Sequence, residues 1–244
     1  MKKEEKDSFS DTLITVMLAI MLAVFIRSFF FEPFRIPSGS MYPTLKVGDF
    51  LFVSKYTYGY SKHSFPFSII PFSGRIWYDE PKRGDVVVFK YPKDNRTDFI
   101  KRVIGLPGDR IKVENGLLFI NDEPVKLTSV EDYVLTDDLL NTGVYTQYEE
   151  ELPNGVVHNI LDAIEGSPLD DFAEVTVPED HFFMMGDNRD KSDDSRQNVG
   201  FVPKENLVGK ARILFFSHGD NGSWLNPFSW GRRIRWKRFF NKIK

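Results

Sequence analysis

The stretch Asp98-Phe99-Ile100-Lys101-Arg102-Val103-Ile104 decides how this chain is read. Its β-branched and aromatic residues favour an extended strand, and successive side chains of a strand point to opposite faces. Phe99, Lys101 and Val103 then share one face, so Lys101 sits against apolar neighbours. Arg102, on the other face, is expected to reach solvent. Two runs of the same kind lie upstream, Asp49–Ser54 and Asp85–Lys90. Turn signals punctuate them at Pro81-Lys82-Arg83-Gly84 and Leu106-Pro107-Gly108-Asp109.

Further on, Asn115-Gly116 lies between Ile111–Val113 and Leu117–Ile120 as the turn of a hairpin, and Asn121-Asp122 offers a second turn. Val175–Val177, His181–Met185, Val199–Val202 and Leu207–Phe216 supply more strands. No sustained helical period interrupts them. The predicted fold class is mostly β, with an N-terminal transmembrane helix, an all-β body and a smaller β-rich inserted subdomain. The expected divisions are an N-tail at 1–11, an anchor at 12–31, the body at 32–111 and 178–218, the insertion at 112–177 and a tail at 219–244.

The anchor is Thr12 to Phe31, uncharged as far as Ile26, with Arg27 near one end. As a helix it spans about 30 Å, the thickness of a bilayer core. Phe25-Ile26-Arg27-Ser28-Phe29 offers no small-x-small cleavage site, which favours a retained anchor over a cleaved leader. Lys2, Lys3 and Lys6 favour a cytoplasmic N-terminus, with everything after residue 31 outside. The last residues, Gly231 to Lys244, are basic and carry no acid, with Trp224, Phe228, Trp230, Trp236, Phe239 and Phe240 among or just before them. That composition suits a membrane-interface segment, a solvated tail or a nucleic-acid patch, the first being favoured beside a membrane anchor.

Composition narrows the chemistry. In 244 residues, 32 Lys and Arg face 35 Asp and Glu, so no overall basicity points to nucleic acid. Cysteine is absent, which removes disulfides, thiolate metal sites and a cysteine nucleophile. The four histidines show no metal-ligand spacing. No metal or cofactor is expected, and hydrolysis here cannot presuppose a histidine base.

Pro37-Ser38-Gly39-Ser40-Met41-Tyr42-Pro43-Thr44-Leu45 follows the anchor closely. Gly39 is expected to adopt dihedrals closed to other residues, while Pro37 and Pro43 stiffen the loop. A rigid loop holding an exposed hydroxyl suits a nucleophile, and also suits an ordinary polar turn. A serine needs a base, and lysine serves only when neutral. With an ordinary pKa of about 10.4, only about one lysine in a thousand is neutral near pH 7.4. Burial can lower that pKa by up to ~5 units.

With Arg83–Phe89, Phe99–Asp109 and Gly186-Asp-Asn-Arg-Asp-Lys-Ser-Asp-Asp-Ser-Arg196 followed by Gly200–Pro203, the loop makes an ordered set of boxes. Order, spacing and the preceding hydrophobic span resemble bacterial type I signal peptidase, a Ser/Lys-dyad serine protease, from residue 12 to about 216. The resemblance implies Ser40 as nucleophile and Lys101 as general base, with Ser38 and the Ser40 amide binding the oxyanion. It implies that Ser192 orients the lysine, that Asp194 and Arg196 form a supporting ion pair joined by Asp187 and Arg189, and that Gly186 lets the chain pass close to the lysine. Phe34, Ile36, Pro37, Met41 and Ile100 would line shallow pockets for small substrate residues at −1 and −3. Lys191 departs from the family pattern, which has asparagine there. The acids of the Gly186–Arg196 box do not make a calcium loop, because Arg189 and the missing glycine at the sixth position break that pattern.

The implied protein is an inner-membrane endopeptidase with its catalytic domain in the periplasm. Its partners are signal peptides of exported preproteins and the lipid bilayer, without nucleic acid. The rival readings are a dedicated maturation protease with the same dyad, and a tethered β-domain that binds a partner without catalysis.

Overall fold

The computed structural model describes residues 9–65, 68, 72–135, 143–164, 166–219 and 234–243. Lys2, Lys3 and Lys6, together with Trp224, Phe228, Trp230, Arg232, Arg233 and Lys244, lie outside the described residues. Helix α1 (Phe9–Phe29) has a mean hydropathy of 2.3 over its apolar window, and Ser28 is its one buried residue. An uncovered apolar helix of this length fits a single-pass membrane anchor.

The helix stops at Phe29 rather than running to Phe31, because Phe31 already opens strand β1 (Phe31–Arg35). Pro33 cannot donate to a helical ladder and biases the residue before it toward extended backbone. The chain-end carbonyls find other donors: Tyr60 Oη donates to Phe29 O at 2.8 Å, and Lys55 N to Phe30 O at 3.0 Å. Glu32 fixes the junction, accepting from Arg27 Nε at 2.8 Å and pairing with Lys55 Nζ at 2.8 Å.

Strands β2 (Asp49–Ser54), β3 (Val86–Lys90) and β4 (Asp98–Gly105) fall where their β-branched runs place them. The hairpin β5 (Arg110–Glu114) and β6 (Leu117–Ile120) turns on Asn115 and Gly116, both at positive φ (50° and 77°), as a two-residue hairpin turn of this hand requires. Asn121 and Asp122 make the next turn at φ 55° and 71° and lead into β7 (Glu123–Pro124). Then come β8 (Lys126–Ser129), β9 (Tyr133–Leu135), β10 (Gly143–Tyr145), β11 (Gln147–Glu151), β12 (Val157–Leu161) and β13 (Phe172–Thr176). Strand β14 (His181–Met185), the short β15 (Val202–Pro203) and the long β16 (Leu207–Ser217) complete the set. Of the expected strand Val199–Val202 only Val202 is extended in a ladder; Val199 is buried in a turn instead.

The main sheet has seven strands in the order β1-β2-β16-β3-β4-β14-β15, all antiparallel. Smaller sheets, β13-β5-β6-β7, β12-β11-β8 and β10-β9, are built from the chain between Arg110 and Thr176. Strand β3 shows why its sequence is apolar throughout. Val86 and Val88 pack with Ile36, Met41, Leu51 and Leu214, while Val87 and Phe89 pack with Val103, Phe182 and Met184. Both faces are covered, and β4 beside it is likewise buried on both faces from Lys101 to Gly105.

The last described segment, residues 234–243, is docked on the body. Ile234 and Lys242 form bridges to His218 and Ile213, and Arg238 Nη2 lies 2.5 Å from Oδ2 of the fully buried Asp49. Trp236 and Phe240 of this docked segment point outward, 62% and 73% exposed.

Candidate active site

Ser40 leaves β1 on a bend and is held from below by Met41 and Leu45, both fully buried in the core. Gly39 is needed for space rather than for an unusual φ. A Cβ there would sit 2.5 Å from the Tyr42 ring, and Gly39 is not among the glycines with positive φ. The Tyr42–Pro43 peptide is cis. Across 61 residues of sequence, Lys101 Nζ lies 2.5 Å from Ser40 Oγ. Both residues are buried, Lys101 at 3% and Ser40 at 8% exposure. For a residue on β1's extension to touch the fifth strand in the order, the sheet must curl on itself.

Burial pushes the Lys101 pKa down from the ordinary 10.5 to about 8. The more distant charges of Asp194, Asp193 and Asp187 oppose the drop, and Arg196 adds to it. Lys101 makes no ion pair among the described residues; its Nζ has the Phe99 ring 5.8 Å away. At pH 7.4 a pKa of about 8 leaves about one molecule in five with the amine neutral. The bare amine can then accept the Ser40 proton.

Arg102 corrects the expectation from strand alternation. It does point away from Lys101, yet it is fully buried, not solvated. Its Nε and Nη2 donate to the two oxygens of Asp187 at 2.8 and 2.7 Å, and its Nη1 donates to Gly84 O at 2.8 Å. Asp187 also accepts from Thr44 Oγ1 at 2.5 Å, tying this ion pair to the nucleophile loop. Burial pulls the Asp187 carboxyl up, but Arg102 holds it below the usual range.

Asp194 and Arg196 do pair, at 2.9 Å. Arg189, however, pairs with Glu150 rather than Asp187, through bonds of 2.7 and 2.6 Å, and His158 Nε2 lies 3.3 Å from the same glutamate. Burial lowers the His158 pKa, with the nearby Arg102 charge acting in the same direction. Gly186 lies against the dyad: a Cβ there would come within 2.4 Å of Ser40 O and 2.2 Å of Ser192 Oγ. Ser192 is buried beside it, with no hydrogen bond between its Oγ and Lys101.

Asn188 escaped the sequence reading. Its backbone N–H donates to Ser40 O at 3.1 Å and its side-chain amide to Gly39 O at 3.1 Å, clamping the loop on both sides of the serine's α-carbon. Glu150, His158 and Thr44 were missed as well. Nothing in the local sequence of Glu150 or His158 marks them, since their partners are far away in the chain.

Among the residues expected to meet substrate, Ile36 and Met41 are core, with Phe34 and Ile100 half-buried against them. Pro37 is exposed, as is Ser38, which shares a small cavity with Ser40. Beside this wall two strand edges are unpaired among the described residues. Strand β1 pairs only with β2, and β14 takes up β4 only from Arg102 onward, which leaves residues 98–101 open. Among the described residues, the one carboxylate group close enough to share a cation is Asp162, Asp170 and Asp190, which contains neither dyad residue.

A buried lysine with a depressed pKa against a serine hydroxyl, on a curled antiparallel sheet that follows a long apolar helix, is an arrangement that suits a serine hydrolase, and the helix fits a single-pass anchor. The sequence profile described as "Signal peptidase, peptidase S26" matches residues 9–216. The chain is 42% identical to signal peptidase I of Rickettsia typhi over 223 residues, covering 88% of this chain and 81% of that one. With signal peptidase I of Rickettsia canadensis the identity is 44% over 200 residues, 79% and 74% of the two chains. A crystal structure of signal peptidase I from Enterococcus faecalis V583 aligns with 54% of this chain and 97% of its own at 26% identity and a TM-score of 0.32. The chain therefore belongs to the signal peptidase family of serine endopeptidases, peptidase S26.

Proposed function

We propose that this chain cleaves signal peptides after small residues at −1 and −3, with Ser40 as nucleophile and neutral Lys101 as general base. The observation that carries this reading is the buried contact between Lys101 Nζ and Ser40 Oγ at 2.5 Å, with no carboxylate paired to the lysine among the described residues. Ser40 Oγ attacks the carbonyl of the −1 residue as its proton passes to Lys101. The Ser40 N–H and the Ser38 hydroxyl bind the resulting oxyanion. Collapse of the tetrahedral intermediate breaks the C–N bond, and Lys101 returns the proton to the leaving amine. Water, activated by the same amine, then hydrolyses the acyl-enzyme.

The substrate lies as an extended strand between the open edges of β1 and residues 98–101. Phe34 and Ile100, half-buried beside these edges, meet the small −1 and −3 side chains, with Ile36 and Met41 as the core beneath them. Ser192 orients the lysine once substrate is bound, and Asp187, Arg189, Asp194 and Arg196 hold the frame. The catalytic body lies outside the cytoplasmic membrane, where the hydrophobic segment of an exported preprotein brings its cleavage site. Incubation of a preprotein bearing Ala at −3 and −1 with the full chain in detergent tests this. Wild type should release a product whose N-terminus is the +1 residue, and Ser40→Ala should release none. Cleavage elsewhere, or by the Ser40→Ala variant, would contradict the proposal.

A further inference from the structure

Two hollows flank β1 and the loop that follows it, the first without Ser40 in its wall and the second with it. One, of about 650 Å³, runs along β1 past Phe34 and Asp98 to Glu32 and Arg27, where the membrane helix ends. The other, of about 150 Å³, is walled by Ser38, Ser40, Tyr42, Tyr145, Leu161 and Lys191. A signal peptide's hydrophobic segment lies in the bilayer, so residues before the scissile bond run toward the first hollow. Residues after it must run toward the second.

Lys191 is the cationic side chain of that second wall. It is exposed, its Nζ donates to Tyr145 Oη at 3.2 Å and stands 5.1 Å from that ring, and no carboxylate pairs with it among the described residues. Its neighbour Asp190 is turned away, accepting from Ala163 N and Ile164 N at 2.8 and 3.1 Å. The position of Lys191 relative to the nucleophile is fixed by its backbone: Lys191 N donates to Asn188 O at 3.2 Å, and Asn188 clamps Gly39 and Ser40.

We infer that Lys191 is a specificity residue for the mature side of the cleavage site, favouring an acidic side chain at one of positions +1 to +3 and disfavouring a basic one. The inference rests on the proposed signal-peptide cleavage. An ion pair at an exposed site is modest and screened by salt, so the preference is one of rate among good substrates, not an all-or-none gate.

The test uses the full chain in detergent and matched preproteins with Ala at −3 and −1. At +1, +2 and +3 in turn they carry Glu, Ala or Lys. For wild type in low salt, kcat/KM for Glu should exceed that for Lys by about fivefold at one position, and the ratio should fall toward one in high salt. Lys191→Gln should remove the preference and Lys191→Glu should invert it. Equal rates at all three positions, or a Glu preference that survives Lys191→Glu, would overturn the inference. Failure of wild type to cleave even the Ala substrate would instead overturn the function on which it rests.

Discussion

Lys101 and Arg102 are adjacent in sequence, both buried, and treated in opposite ways. Arg102 meets a carboxylate in two-point geometry, a backbone carbonyl and a neighbouring hydroxyl chain, so its charge is fully compensated. Lys101 meets one hydroxyl and a phenyl ring, and burial drives its pKa down. One face of β4 has its cation paired with an acid and serves as frame. The other face is deprived of a counter-charge, and that deprivation makes the amine available as a base. A buried cation is therefore structural or chemical according to whether an acid is supplied with it.

The largest effect that could break this contrast is on turnover. Lys101→Ala should lower kcat/KM for a preprotein by more than about a thousandfold, because removal of the base leaves Ser40 protonated. Single-turnover cleavage assays measure it, and retained activity would remove the lysine from the chemistry. On the compensated face, Asp187→Asn should leave Arg102 buried without its anion and destabilise the protein by about 3–5 kcal/mol. Thermal unfolding in detergent reads that loss. A change within a few tenths of a kcal/mol would mean the pair does not hold the frame.

The deprived face should respond in the opposite direction. The folded pKa of Lys101 is depressed, about 8 against 10.5, so the unfolded chain binds the proton more tightly than the folded one. Below about pH 8 this costs stability in full, about 3 kcal/mol; the cost fades as pH rises toward 10.5. Lys101→Met, which keeps an apolar stem, should thus raise stability at pH 7 by about 2–3 kcal/mol while abolishing activity, and the gain should shrink at pH 10. A destabilised Lys101→Met protein would show that the cation is compensated after all. Gly186→Ala sharpens the comparison more finely. Its methyl would press on Ser40 O and Ser192 Oγ, so kcat should fall about tenfold or more with KM changed less.

Much of the framework was legible because it is local. The strands Asp49–Ser54 and His181–Met185 and the Asn115-Gly116 hairpin are where composition and turn chemistry place them. Alternation correctly separated Lys101 from Arg102, but alternation says only that two faces differ. It does not say that either is wet, and the all-apolar run of β3 next door was the sign that both faces are covered. Strand β1 was hidden because Phe29-Phe30-Phe31 continues the apolar composition of the helix, and only Pro33 marks the change. The Glu150–His158–Arg189 cluster was illegible for a plainer reason. Its members lie 39 residues apart between Glu150 and Arg189, and no local pattern pairs them. Ser40 and Lys101, 61 residues apart, were joined only through the resemblance of the surrounding boxes.

Lys101 as a neutral base is open to test through the pH dependence of kcat/KM for a preprotein without titratable groups near its cleavage site. Between pH 6 and 8 the logarithm of kcat/KM should climb with unit slope and then level off near pH 8, the value to which burial brings Lys101. A rate that stays level down to pH 6 would contradict the account.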